Sequence, residues 1–105
     1  MENAAVTNVF GHIADLLELE KGSYFKIRAY RRVARTIDEL PVGLEQVLKE
    51  GKLREIPGVG EAIGKKIAEL LTTGRVEFYE RLLSDASEGI GRGEDGQPRA
   101  TGWGA

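Results

Sequence analysis

The sequence predicts an all-α protein, a compact bundle of about five helices followed by a disordered C-terminal tail. Three observations carry this. Through most of the first 84 positions apolar residues recur three and four apart, the spacing of one helix face. No segment alternates apolar and polar residues as a half-buried strand does. From residue 85 the chain reads DASEGIGRGEDGQPRATGWGA, with Ile90 and Trp103 as its large apolar residues, too few to offset the entropy of ordering it. The expected organisation is a helical domain at 1–84 and a tail at 85–105, with a partner-binding peptide around Trp103 as the lesser alternative for the tail.

The elements follow in order. Val6, Val9, Phe10, Ile13, Leu16 and Leu17 form the stripe of a first helix, and Lys21-Gly22 supplies a basic last turn and a glycine able to turn left-handed. His12 lies off that stripe and reads as a solvated side chain. Ser23 is placed to cap a second helix that runs to about Leu40, where Pro41 forbids continuation. Residues 42–50 form a short third helix ended by Gly51, and residues 52–56 one further turn stopped by Pro57. Ile63, Ile67, Leu70 and Leu71 mark a helix ending near Gly74, and Val76, Tyr79, Leu82 and Leu83 mark the last.

Composition narrows the function. A chain of 105 residues supports one core. It has no cysteine and a single histidine, which excludes disulfides and thiolate zinc sites and makes a metalloenzyme unexpected. No run approaches the roughly 18 apolar residues of a membrane span, and the start MENAAVTNVF lacks a basic stretch followed by an apolar one. A soluble, cytoplasmic protein is expected, nucleoid-associated if bacterial. The net charge is -2, yet residues 21–35 carry Lys21, Lys26, Arg28, Arg31, Arg32 and Arg35 with no acid among them. That concentration points to an anionic partner.

The stretch REIPGVGEAIGKKI, residues 54–67, has glycines at Gly58, Gly60 and Gly64. Their spacing is close to a dinucleotide fingerprint, but the preceding LREI is short, charged and helix-like where that fingerprint needs a strand. A helix-hairpin-helix motif fits instead. Glycines at Gly58 and Gly60 let the backbone, with Val59 between them, approach closely, and amides opening the next helix can face a phosphate oxygen. Arg28, Arg31, Arg32 and Arg35 fall at i, i+3, i+4 and i+7 on one face of the second helix. Ile27, Tyr30, Val33, Ala34 and Ile37 take the opposite side. No base-reading element is evident, so the expected contacts are to phosphates and depend on salt. Lys26 and Tyr30 are stacked one turn apart toward the rest of the domain. Lys65 points outward as a surface charge, whereas Lys66 lies at the margin of an apolar face. There it is either a partly desolvated amine able to attack an aldehyde or a cation covering apolar surface and contacting phosphate.

The combination FKIRAYRRVARTI and LREIPGVGEAIGKKIAELLTTG resembles the N-terminal helix-hairpin-helix, lyase-type domain of family X DNA polymerases across nearly all of residues 4–83. The resemblance implies binding at the 5′-phosphate side of gapped or nicked DNA in repair, including base excision repair. It further implies a 5′-deoxyribose phosphate lyase that uses no cofactor for its chemistry. On this sequence the Schiff-base lysine falls on Lys66, the phosphate-pocket lysine on Lys26 and the pocket tyrosine on Tyr30. The carbonyls of Arg54, Ile56 and Val59 fall where the family holds a Na or K ion. Two auxiliary pocket lysines fall on Ala62 and Phe78, and a histidine on Phe25, departures that favour DNA binding over lyase turnover. The polymerase palm carboxylates do not occur in these residues, so the expectation is a fragment or a stand-alone module. The expected partner is gapped or nicked duplex DNA, bound by a monomer with no small-molecule substrate and no membrane contact. A protein-interaction domain that keeps the scaffold is a third reading.

Overall fold

α1, Asn3–Leu19, and α2, Tyr24–Asp38, form the largest helix pair of the domain. The structure is a computed structural model that describes residues 1–95, with side chains as far as residue 86. Val6, Phe10, Ile13, Ala14 and Leu17 on α1 face Ile27, Tyr30, Val33, Ala34 and Ile37 on α2, the two stripes expected from their spacing. α3, Leu44–Lys49, and a 3₁₀ turn at Leu53–Glu55 lead into the hairpin, and α4, Glu61–Thr73, and α5, Glu77–Asp95, follow. The described residues thus hold five α-helices and no strand, the all-α architecture that the sequence predicts. None of these helices is long and apolar enough to cross a membrane.

One core joins the elements. Phe10, Ile13, Ile37, Leu44, Ile67 and Val76 are fully buried and come from α1 to α4 and from the residue before α5. The 3₁₀ turn and hairpin are pinned by Leu53, Ile56 and Val59, all buried in the same cluster. The hairpin is therefore seated from beneath by apolar side chains, and its position is set by the core.

Local details depart from the sequence expectation at several points. The left-handed residue after α1 is Lys21, at φ 58°, while Gly22 is not left-handed. The Gly22 amide donates to the Leu17 carbonyl at 2.8 Å and the Lys21 amide to that of Glu18, which is a Schellman ending with Lys21 at its left-handed position. Gly22 relieves a tight approach, because a Cβ there would stand 3.2 Å from the Leu17 oxygen. Ser23 precedes α2 without a side-chain capping bond, so its expected capping role is not realised. α3 begins at Leu44, two residues after the predicted start, and is capped from a distance. The Leu44 amide donates to Asn3 Oδ1 at 2.9 Å, and Asn3 Nδ2 donates to the Val42 carbonyl at 2.8 Å. α5 runs to Asp95. Ala86, one turn after buried Leu82, is itself buried and extends the packed face. The rest of the expected tail, including Trp103, lies outside the described residues.

A non-glycine residue in the left-handed region costs about 1 kcal/mol. Lys21→Gly is therefore expected to raise the stability of the domain by about that amount, read as a higher urea midpoint with an unchanged slope.

Candidate nucleic-acid interface

The hairpin turns on Gly58, whose φ of 88° is open to glycine at little cost. The Val59 amide donates to the Ile56 carbonyl at 3.0 Å and closes the turn. The first hydrogen bond of α4 runs from the Gly64 amide to the Gly60 carbonyl at 2.8 Å. The amides of Gly60, Glu61, Ala62 and Ile63 consequently have no helical partner and point outward with the positive end of the helix dipole. Gly58 and Gly60 are exposed while Val59 is 5% exposed, so the backbone faces solvent and the valine side chain anchors it.

Arg32 joins this hairpin to α2. A Cβ added at Gly58 would lie 3.6 Å from Arg32 Cδ and Nε, which places the arginine stem directly against the turn. Arg54 Cδ would likewise lie 3.5 Å from a Cβ at Gly64, on the first turn of α4. The free amides are thus flanked by arginines from two other elements.

The four-arginine stripe is divided. Arg28 and Arg32 have no carboxylate within salt-bridge distance among the described residues, and neither does Arg35 in the last turn of α2. Arg28 instead stands 5.5 Å over the Tyr24 ring. Arg31 reaches back to α1, with Nη1 3.1 Å from Asp15 and Nη2 donating to Glu18 at 2.8 Å. Its charge is spent in holding α1 to α2. The sequence could not show this, because Asp15 and Glu18 lie on another helix. Tyr24 and Phe25 meet edge to face at 6.5 Å and are 66% and 82% exposed, which leaves two aromatic rings in solvent beside Lys26 and Arg28.

Lys66 and Tyr30 belong to a second group. Tyr30 is buried between Phe10, with centroids 5.9 Å apart, and Phe78, at 6.0 Å, both rings nearly parallel to it. Lys66 Nζ lies 4.9 Å from the centroid of Phe78. Burial holds the Lys66 ammonium below the usual lysine range, Glu69 opposes that effect and Lys26 adds to it. Phe78, which the resemblance marks as the loss of a cation, therefore stacks on Tyr30 and presents its ring to Lys66. Lys65 is exposed, as expected from its spacing, and lines a cleft of about 400 Å³ between α4 and α5 with Ala62, Lys66, Glu69, Phe78 and Arg81. Sequence reasoning passed over Glu69 and Arg81. Glu69 was findable as the residue one turn after Lys66, whereas Arg81 joins the cleft only through the packing of α5. His12 is exposed as expected, and its Nδ1 lies 3.1 Å from the Tyr79 hydroxyl across α1 and α5.

Residues 1–76 match the family model of the helix-hairpin-helix domain. The chain belongs to the helix-hairpin-helix domain family. This helix-hairpin-helix chain is also similar to DNA polymerase lambda of Arabidopsis thaliana, at 26% identity over 83 residues. The similarity takes in 79% of this chain and 15% of that protein, so the chain spans a small part of its relative's length. Both findings agree with the resemblance to family X polymerases carried by the two motifs.

Burial also pushes the Tyr30 phenol above the ordinary tyrosine value of 10.0. The folded protein then keeps a proton that the unfolded chain has lost, so this contribution is intact below pH 10.0 and disappears as pH rises through the raised value. Tyr30→Phe is expected to make the alkaline loss of stability shallower, checked by denaturant midpoints between about pH 9 and about pH 11.

Proposed function

We propose that this helix-hairpin-helix domain binds DNA through backbone phosphates, at the 5′-phosphate side of gaps, nicks or ends, as a module of DNA repair. The observation that carries this is the seating of the Arg32 stem against Gly58, beside amides that the start of α4 leaves without partners. A phosphate oxygen at that turn would take hydrogen bonds from the amides and an ion pair from the guanidinium together. Arg28 and Arg35 extend the cationic track along α2, with Lys26 beside it and Lys65 on α4. Exposed Tyr24 and Phe25 offer faces on which unpaired bases can stack. Similarity to a DNA polymerase supports the reading without fixing the form of DNA.

The carbonyls of Arg54, Ile56 and Val59 suit a Na or K ion as oxygen donors. Those of Arg54 and Val59 accept no backbone bond outside the helices among the described residues, and that of Ile56 accepts one, from Val59. Such an ion would add positive charge beside the phosphate.

The affinity for a gapped duplex is expected to fall steeply with salt. Arg28→Glu with Arg32→Glu should weaken binding at least about tenfold and flatten the salt dependence by about two contacts, with helicity unchanged. Binding that is equal at low and moderate salt, or intact in the double variant, overturns the proposal.

Lys66 favours a second reading, a 5′-deoxyribose phosphate lyase, because it is a half-buried amine with a lowered affinity for its proton. Borohydride reduction on abasic gapped DNA is the test. A covalent adduct lost in Lys66→Ala supports the lyase, and absence of any adduct rejects it.

A further inference from the structure

Lys66 differs from Lys26 and Lys65 in what surrounds it. Those two are exposed, whereas Lys66 is half-buried with its Nζ 4.9 Å over the Phe78 ring. Phe78 cannot move aside easily, because Tyr30 stacks on it with centroids 6.0 Å apart and Phe10 in turn stacks on Tyr30. Glu69, one turn along α4, lines the same cleft as Lys66 and is fixed as well. Its Oε2 accepts the Glu77 amide at 2.9 Å and so satisfies an orphan donor in the first turn of α5. The other charges facing the amine are Glu61 and Lys65 on α4, Glu77 and Arg81 on α5, and Lys26 on α2.

We propose that Phe78 and Glu69 are positioning residues that hold Lys66 as an ammonium at this cleft, assigning the side chain to contact with a DNA phosphate and not to imine formation. The assignment rests on the DNA-binding reading above. An aromatic face attracts the ammonium and has no comparable attraction for the neutral amine, and a carboxylate discriminates in the same sense. Imine formation needs the neutral amine: its nitrogen lone pair forms the bond to the aldehyde carbon, and the carbonyl oxygen leaves as water. Each contact that selects the ammonium therefore lowers the fraction able to react. Burial pulls the other way and sets the net direction, below the usual lysine range, so Glu69, with the Phe78 ring beside it, limits that loss of the proton without reversing it.

The test reads the amine directly. Lysines of the full chain are dimethylated with ¹³C-formaldehyde and cyanoborohydride, and each methyl resonance is followed against pH. Phe78→Leu is expected to lower the Lys66 midpoint by up to about one pH unit, a tenfold gain in neutral amine, with Lys65 unmoved. Phe78→Tyr, which keeps a ring, should restore the original midpoint. Glu69→Gln keeps an acceptor for the Glu77 amide and loses the charge, so it should lower the midpoint in a fully folded protein. A Lys66 midpoint unmoved in Glu69→Gln, or raised in folded Phe78→Leu, overturns the proposal. Lowered midpoints in a domain that binds no gapped duplex at low salt support the positioning pair and overturn the phosphate reading beneath it.

Discussion

The parallel stacking of Phe10, Tyr30 and Phe78 is the constraint on which the domain's functional geometry depends. The three rings come from α1, α2 and α5, and Lys66 of α4 completes the column with its ammonium over the last ring. A stack of flat rings has few ways to pack, so fixing one sets the tilt and depth of the next. α5 is thereby placed against the α1–α2 pair, and the α4–α5 cleft acquires its wall. The hairpin depends on the same core through Val59 and Ile56, although it is stabilised by different side chains. Packing thus fixes the relation between two surfaces, one at the hairpin flanked by arginines and one at the cleft lined by lysines, an arginine and three carboxylates.

Charge is distributed with economy. A chain of net charge -2 presents arginines without acidic partners among the described residues because the acids of α1 are matched by Arg31 alone among the four stripe residues. An exposed ion pair of this kind adds at most about 1 kcal/mol. Its larger effect is on the field, because Asp15 and Glu18 are oriented toward one arginine and kept from the others. Arg28, Arg32 and Arg35 are left to act at a distance on an approaching polyanion.

Much of the fold was legible in the sequence because helices repeat, and repetition survives the loss of every tertiary clue. The apolar stripes of α1 and α2 emerge as the buried faces. The hairpin was legible for a related reason, since proline and glycine act through their own backbone chemistry. What was hidden depends on partners remote in sequence. Nothing near Asn3 shows that its amide will cap Leu44, and nothing near Phe78 shows that Tyr30 will lie beneath it. Lys21 was misassigned for a subtler reason: adjacent Gly22 fits the left-handed rule, but the steric demand at Gly22 comes from the Leu17 oxygen. For the candidate site, residue types and spacing located the cations, while only packing showed which of them are already paired.

The Asn3 side chain bonds on both sides of Gly43, the residue before α3, to the Val42 carbonyl and the Leu44 amide. It acts as a clasp that closes the chain on itself and brings the first turn of α1 to the segment leading into the hairpin. Local order at that segment is thereby coupled to residues near the amino terminus. A disturbance at the first turn, from a fused peptide or a frayed end, would be felt at the Gly58 turn, although the two are separated by more than half of the folded chain.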